Sequence, residues 1–175
     1  MIRIREERPE DIKEIRKVNQ EAFTQAFGQA PEADFVDRLR ENNPRLLSIV
    51  AVNGDNAVVG HILFSPVRIQ GDRIVEGMGL APMAVLPKHQ RQGIGTRMVQ
   101  AGIEMLKNQG RPFIIVLGHP EYYPRFGFER ASHKGIRSQW EGVPDEAFMI
   151  MILDEKAMEG ISGIARYRSE FDEAM

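Results

Sequence analysis

At 175 residues, 42% of them apolar, and with 23 basic against 25 acidic side chains for a formal net charge of −2, the chain has the size and composition of one packed domain. No basic block argues for nucleic acid and no acidic run for disorder. The absence of cysteine excludes disulfides, cysteine metal sites and a cysteine nucleophile, and no segment approaches the roughly 18 apolar residues of a membrane span, so a soluble, cytoplasmic protein is expected. His61, His89, His119 and His133 are scattered without metal-ligand spacing, and no metal is expected.

Ile2 and Ile4 alternate with Arg3 and Arg5 as a short strand. Pro9 suits the first turn of a helix, and Glu10 and Asp11 suit its dipole. Ile12, Ile15, Ala22, Phe23 and Ala26 then recur at helical spacing. Phe27 to Pro31 breaks this helix, and a second follows with Phe35, Val36 and Leu39 on one face, ending near Asn42-Asn43-Pro44. Leu46 to Val52, Ala57 to Ile69 and Arg73 to Val85 read as a three-strand meander joined by turns at Asn53–Asn56 and Gly71–Asp72. Pro82 lies inside the third of these strands and cannot donate a ladder hydrogen bond, so a bulge or splay is expected there.

Gly95 to Gln109 is the strongest helix pattern, closed by Gly110. Pro112 to Leu117 is a nearly continuous apolar strand of the kind found at a sheet centre. A short helix over Pro120 to Arg125, a strand starting at Phe128 that fades into a loop with Trp140 and Pro144, and a last strand from Ala147 to Leu153 complete the pattern. Residues 154–175 read as an acidic tail packed on or extending from a domain of residues 1–153. Composition and periodicity by themselves give an α+β chain with a mixed sheet.

The segment Met83 to Thr96 is the most informative. An apolar strand ends at Val85, and Gln90-Arg91-Gln92-Gly93-Ile94-Gly95 leads into the long helix. Two glycines one residue apart let the backbone turn tightly, so that amides from Arg91 to Thr96 point at one spot beside the positive end of the helix, which forms a cradle for a pyrophosphate. The dinucleotide fingerprint fails, because Met98 stands at the third glycine position, and a Walker A loop fails, because no lysine follows Gly95.

What remains, [QR]-x-x-G-x-[GA] on Gln90, Gly93 and Gly95, resembles motif A of the GNAT superfamily of acyl-CoA-dependent N-acetyltransferases. Downstream, Val116-Leu117-Gly118-His119-Pro120-Glu121-Tyr122-Tyr123-Pro124-Arg125-Phe126-Gly127-Phe128 ends in Tyr-x-x-x-Gly-Phe, which looks like the family's motif B, and its longer form is similar to the YhbS-like branch. The resemblance implies a GNAT fold: a central, mixed, mostly antiparallel sheet flanked by helices and splayed between the fourth and fifth strands. It implies acetyl-CoA as co-substrate, with its pyrophosphate on Arg91, Gln92, Gly93, Ile94, Gly95 and Thr96 and its pantetheine arm along Met83, Ala84 and Val85. Tyr123 matches the tyrosine that family members place near the sulfur. A phenol of pKa near 10 can protonate a departing thiolate, which makes Tyr123 the candidate general acid.

The expected reaction is acetyl transfer to a primary amine by direct attack. A non-catalytic CoA- or acyl-CoA-binding module is the alternative. The acceptor is a small-molecule or protein amine, and a homodimer stays open. Some relatives supply a glutamate from the strand carrying Val116-Leu117, and this chain has none there. Glu76, His119, Glu121 or a water are the candidates for taking the amine's proton. Phe27–Pro31 and Ser132–Pro144, the segments least explained by core packing, are the expected acceptor-facing loops.

Overall fold

The computed structural model describes residues 1–42 and 45–173. Packing divides the chain into two units. The first comprises Met1–Phe64, Ala81–Gly102 and Ser169–Met175, and the second Ser65–Leu80 and Ile103–Arg168.

In the first unit, β1 (Arg3–Glu6) runs antiparallel to β2 (Leu47–Val52), and β2 antiparallel to β3 (Val58–Gln70), with a register irregularity at Ala51/Val52. Between β1 and β2 come α1 (Ile12–Phe27) and α2 (Pro31–Glu41). A 3-10 turn over Pro9–Asp11 leads into α1. The Asp11 carboxylate accepts the Arg8 N–H at 2.7 Å and pairs with Arg5 at 2.7 Å. The Arg5 guanidinium holds Asp11 below the usual carboxylate range, against the opposing effect of burial.

The buried face of α1 is Ile15, Val18, Asn19 and Ala22. This corrects the expected stripe, since Ile12 and Ala26 face solvent and a polar residue takes a core position. The buried face of α2 includes Phe35, Val36 and Leu39, as the spacing predicts. Asn42 caps α2, and the expected end at Asn43-Pro44 lies outside the described residues. Phe171, in a 3-10 turn over Ser169–Glu173, packs edge-on against Phe35 at 4.6 Å between ring centres.

β3 shows why Asn19 is buried. A Cβ at Gly60 would meet Met98 and Ile94, which belong to α3 (Ile94–Asn108), so α3 covers one face of this part of the sheet. His61, the next residue, points the other way and meets α1. It is fully buried within a chain of polar groups. Glu7 pairs with Arg40 and accepts the Ser48 hydroxyl proton at 2.5 Å. Ser48 Oγ has then given its only proton and must accept from His61 Nε2–H at 2.9 Å. His61 Nδ1 is left as an acceptor and takes one Asn19 Nδ2–H at 3.1 Å, while the other Asn19 proton goes to Ile15 O at 3.1 Å. The network fixes a neutral histidine in one tautomer. Burial, helped by the charge of Arg40, pushes its pKa down to about 3.

The second unit holds the remainder of β3, most of β4 (Ile74–Val85), β5 (Phe113–Leu117), β6 (Glu129–Arg130), β7 (Ile136–Ser138), β8 (Phe148–Ile152) and β9 (Gly163–Arg166). β5 pairs in parallel with β4 over Met78, Gly79 and Leu80, and antiparallel with β8 along its whole length. β6 flanks β8, while β9 pairs with both β3 and β7. The core here includes Val67, Ile69, Phe113, Ile115, Phe148 and Ile150. The strand order β1-β2-β3-β4-β5-β8-β6 makes a mixed, mostly antiparallel, open sheet.

β4 continues through Pro82, whose peptide with Ala81 is cis, and its ladder with β5 ends at Leu80. Two short strands differ from the sequence expectation: β7 lies in what reads as a loop, and β9 in what reads as a tail. Strands of three and four residues are too short to show alternation, and their partners are distant in sequence. The expected helix over Pro120 to Arg125 is a 3-10 turn over Tyr123–Phe126, because Pro124 lacks the amide that a longer helix would use there.

The histidine sets an acid limit. His61 binds no proton in the folded chain until pH falls to about 3, while the unfolded chain binds one near 6.5, so stability is complete above 6.5 and is lost as pH falls from there towards 3. Between those values His61 contributes a slope of about 1.4 kcal/mol per pH unit. Urea unfolding of the parent and of His61→Gln at pH 7, 6, 5 and 4 should show the shallower pH dependence in the variant. Parallel curves would contradict it.

Candidate functional site

The turn after β4 is tied down before α3 begins. Leu86 N–H donates to Val59 O at 2.9 Å, and a 3-10 turn over Pro87–His89 follows. The Gln90 side chain reaches back, donating from Nε2 to Val85 O at 3.0 Å. The backbone then takes two left-handed steps, at Arg91 with φ 64° and at Gly93 with φ 81°. For arginine that conformation is uncommon and costs energy. A Cβ at Gly93 would meet nothing within 4 Å, so the space beside this residue is open. Arg97 N–H donates to Gly93 O at 3.1 Å as the helix starts. The first turn of α3 thus presents amides that have no intrahelical acceptor, beside the positive end of the helix dipole.

Of the residues the sequence assigns to a pyrophosphate, Arg91, Gln92 and Gly93 are exposed, Gly95 and Thr96 half-buried, and the Ile94 side chain is buried. Ile94 therefore has only its main chain to offer. On β4, Ala84 is buried in an apolar cluster with Ile15, Val18 and Ala22 of α1, while Met83 and Val85 are half-buried.

The second motif follows β5. Gly118 N–H donates to Ala147 O at 2.9 Å, and His119 O accepts from Tyr122 N–H at 3.1 Å and from Tyr123 N–H at 3.3 Å. Tyr123 is buried in an aromatic nest, edge-on to Tyr122 at 5.0 Å and to Phe128 at 5.6 Å. A Cβ at Gly118 would overlap ring carbon Cε2 of Tyr123 and stand 3.0 Å from Cδ2, so the ring occupies the space of the missing side chain. Burial, with a contribution from Tyr122, pushes the Tyr123 hydroxyl above its ordinary pKa and keeps it protonated. Tyr122 contacts the Tyr123 and Phe126 rings and carries the Arg125 guanidinium on its face at 4.7 Å.

The candidates for proton acceptor have different surroundings. The Glu76 carboxylate lies between Arg68 at 3.3 Å and Arg111 at 3.6 Å, while His119 and Glu121 are exposed. Phe27 is 70% exposed and stacks on Phe23 at 6.3 Å. Trp140 packs on Tyr167 at 4.9 Å, which ties its loop to the core of the second unit. A cavity of about 760 Å³ in that unit, with Ile136, Met158 and Ile161 among its walls, includes no residue of either motif. Among the described residues no group of three or more histidine and acidic side chains is arranged to hold a metal, and no helix is long and apolar enough to cross a membrane.

Comparison with known proteins decides the family. Residues 3–131 match the family described as "Acetyltransferase (GNAT) domain". The chain belongs to the GNAT acetyltransferase family. It is 35% identical over 147 residues to the uncharacterized N-acetyltransferase YhbS of Escherichia coli K12, covering 84% of this chain and 87% of YhbS. The crystal structure of Escherichia coli YhbS in complex with CoA superimposes with a TM-score of 0.88 at 34% identity, covering 98% of this chain and 92% of that one. A GNAT family acetyltransferase from Brucella melitensis in complex with acetyl-CoA gives a TM-score of 0.78 at 34% identity, covering 98% and 99%. The sheet described above, with its parallel β4–β5 pair, is the GNAT fold, and the chain is an acyltransferase of the N-acetyltransferase class.

Two contributions to this GNAT site were not read from the sequence. The Gln90 amide latches the turn to Val85 O, and the missing side chain of Gly118 makes room for Tyr123. The second is testable. Gly118→Ala should displace Tyr123 and cost about 1–3 kcal/mol by overpacking, read as a lower urea midpoint together with a changed near-UV tyrosine signal. An unchanged midpoint and spectrum would show that the nest can give way.

Proposed function

We propose that this protein transfers the acetyl group of acetyl-CoA to a primary amine by direct attack. One observation carries the reading: the turn from Gln90 to Gly93, with left-handed residues at Arg91 and Gly93 and open space beside Gly93, leads directly from β4 into the N-terminus of α3. These residues fit a pyrophosphate. Arg91, Gln92, Gly93, Ile94, Gly95 and Thr96 would hold it, largely through the main chain. Met83, Ala84 and Val85 would hold the pantetheine arm. The CoA and acetyl-CoA bound to the two homologues, each 34% identical, support the assignment.

Acetyl-CoA, when bound, supplies an acetyl group already activated as a thioester. The remaining work falls to the chain. Tyr123, kept protonated by burial, donates a hydrogen bond to the sulfur as negative charge builds on it. The Glu76 carboxylate is engaged by the Arg68 and Arg111 guanidinium groups. We assign loss of the amine's proton to water, with the exposed His119 and Glu121 as the side-chain alternatives.

Two substitutions test separate parts. Gly95→Val, at a helical position that is not left-handed, should weaken acetyl-CoA binding about tenfold while the thermal midpoint stays close to that of the parent. Unchanged affinity by calorimetry would remove the pyrophosphate from this turn. Tyr123→Phe keeps the ring and should lower kcat about 100-fold with little change in the KM for acetyl-CoA. Equal turnover, with chemistry rate-limiting, would leave Tyr123 a packing residue. Thiol release from acetyl-CoA across a panel of amines separates an enzyme from a binding module, which would bind acetyl-CoA and release nothing.

A further inference from the structure

Acetyl transfer as described leaves Tyr122 and Arg125 unused, although both belong to the motif that holds Tyr123. Tyr122 is half-buried against Tyr123 and Phe126, and the Arg125 guanidinium carbon stands 4.7 Å from its ring centre. Five other arginines of this unit have side chains with partners of their own. Arg68 and Arg111 share Glu76, Arg130 pairs with Asp145, Arg73 donates to Glu159 O, and Arg166 donates to Gln70 Oε1. Arg125 is exposed, and among the described residues no carboxylate lies within ion-pair distance of it.

A guanidinium stacked on an aromatic ring is engaged through its flat face. Its N–H donors lie in the plane and point outward, and that fork matches the two oxygens of a carboxylate. The stack also removes rotamer freedom before any ligand arrives, so less is lost on binding. In the same unit the Glu76 carboxylate is neutralised by its two arginines, whereas Arg125 keeps a positive charge with no carboxylate of the described residues in ion-pair distance, two residues from Tyr123 in the same 3-10 turn. Such a charge repels a bare ammonium ion and favours an acceptor that brings its own anion.

We infer that Arg125, braced by Tyr122, recognises a carboxylate on the acceptor, and that the acceptors are amines carrying a free carboxylate: amino acids or short peptides. This rests on the N-acetyltransferase reading above and names its substrate class. The phosphates of CoA offer the same oxyanion chemistry, but that reading places the pyrophosphate on Arg91 to Thr96 and the sulfur end at Tyr123.

The test pairs each of a set of free amino acids and dipeptides with its C-terminal amide. Thiol release is measured with the parent, Arg125→Gln and Arg125→Lys, alongside calorimetric Kd values for acetyl-CoA. The parent should favour the free acids by about tenfold in KM, Arg125→Gln should bring acid and amide close to parity with kcat on the amides unchanged, and Arg125→Lys should keep part of the preference. No preference in the parent, or the same preference in Arg125→Gln, overturns the inference. A weakened Kd for acetyl-CoA in Arg125→Gln also overturns it and assigns the residue to the co-substrate. If the parent releases no thiol with any amine, the transferase reading is what fails. The inference is then judged by calorimetric binding of the same pairs to the CoA-loaded protein, where equal affinity for acid and amide overturns it.

Discussion

The hydrogen bonding of β4 is the constraint on which the candidate site depends. Its ladder with β5 ends at Leu80, and Pro82, two residues on, has no N–H to give. The end of the strand is then held by other means. Leu86 N–H bonds to Val59 O, and the Gln90 side chain occupies Val85 O. These two bonds fix where the chain leaves the sheet. The left-handed steps at Arg91 and Gly93 fix the direction in which it re-enters a helix. The proposed anion site, made of main-chain amides, would have no side chains to adjust, so its geometry would come from this anchoring. The side chains of the motif act mainly by being absent, as at Gly93, or by tying the loop to itself, as at Gln90.

The two units solve the burial problem differently. The first accepts polar groups into its core and links them in series, from Ile15 O through Asn19, His61 and Ser48 to Glu7 and Arg40, while Asn19 Oδ1 and Arg40 Nε are buried without a hydrogen-bond partner. Because Glu7 can only accept and Asn19 Nδ2 can only donate, the direction of every proton in the chain is determined. Such a network links α1, α2, β2 and β3 in one arrangement, which loose apolar packing does not guarantee. The second unit buries Val67, Ile69, Phe113 and Ile150 with no comparable network, and places Tyr123 among rings. There the hydroxyl stays protonated because a phenolate would be desolvated.

Charge is arranged as deliberately as packing near the second motif. Glu76, an acidic residue of β4 that a sequence reader takes for a base, is clamped by Arg68 and Arg111 and joins β3 and β4 to the approach to β5. Arg125, an ordinary surface cation by composition, lies on an aromatic face. A carboxylate between two guanidinium groups and a guanidinium on a ring have exchanged the roles that residue type suggests.

The sequence by itself determined the helices α1, α2 and α3, the meander from β2 to β4, the apolar strand β5 and the two motifs that mark the family. Each is encoded locally, in periodicities of 3.6 or 2, in glycines and prolines at turns, or in a short motif. Tertiary structure alone decided the rest. Asn19 breaks an apolar pattern and is buried because His61, more than forty positions away in the chain, offers it an acceptor. β7 and β9 are strands because distant backbone groups pair with them, although three or four residues carry no readable period. Gly118 is required by the Tyr123 ring, and Glu76 is occupied by arginines from two other segments. Local propensity is written along the chain, whereas the partner that satisfies or neutralises a polar group is written only in the packing.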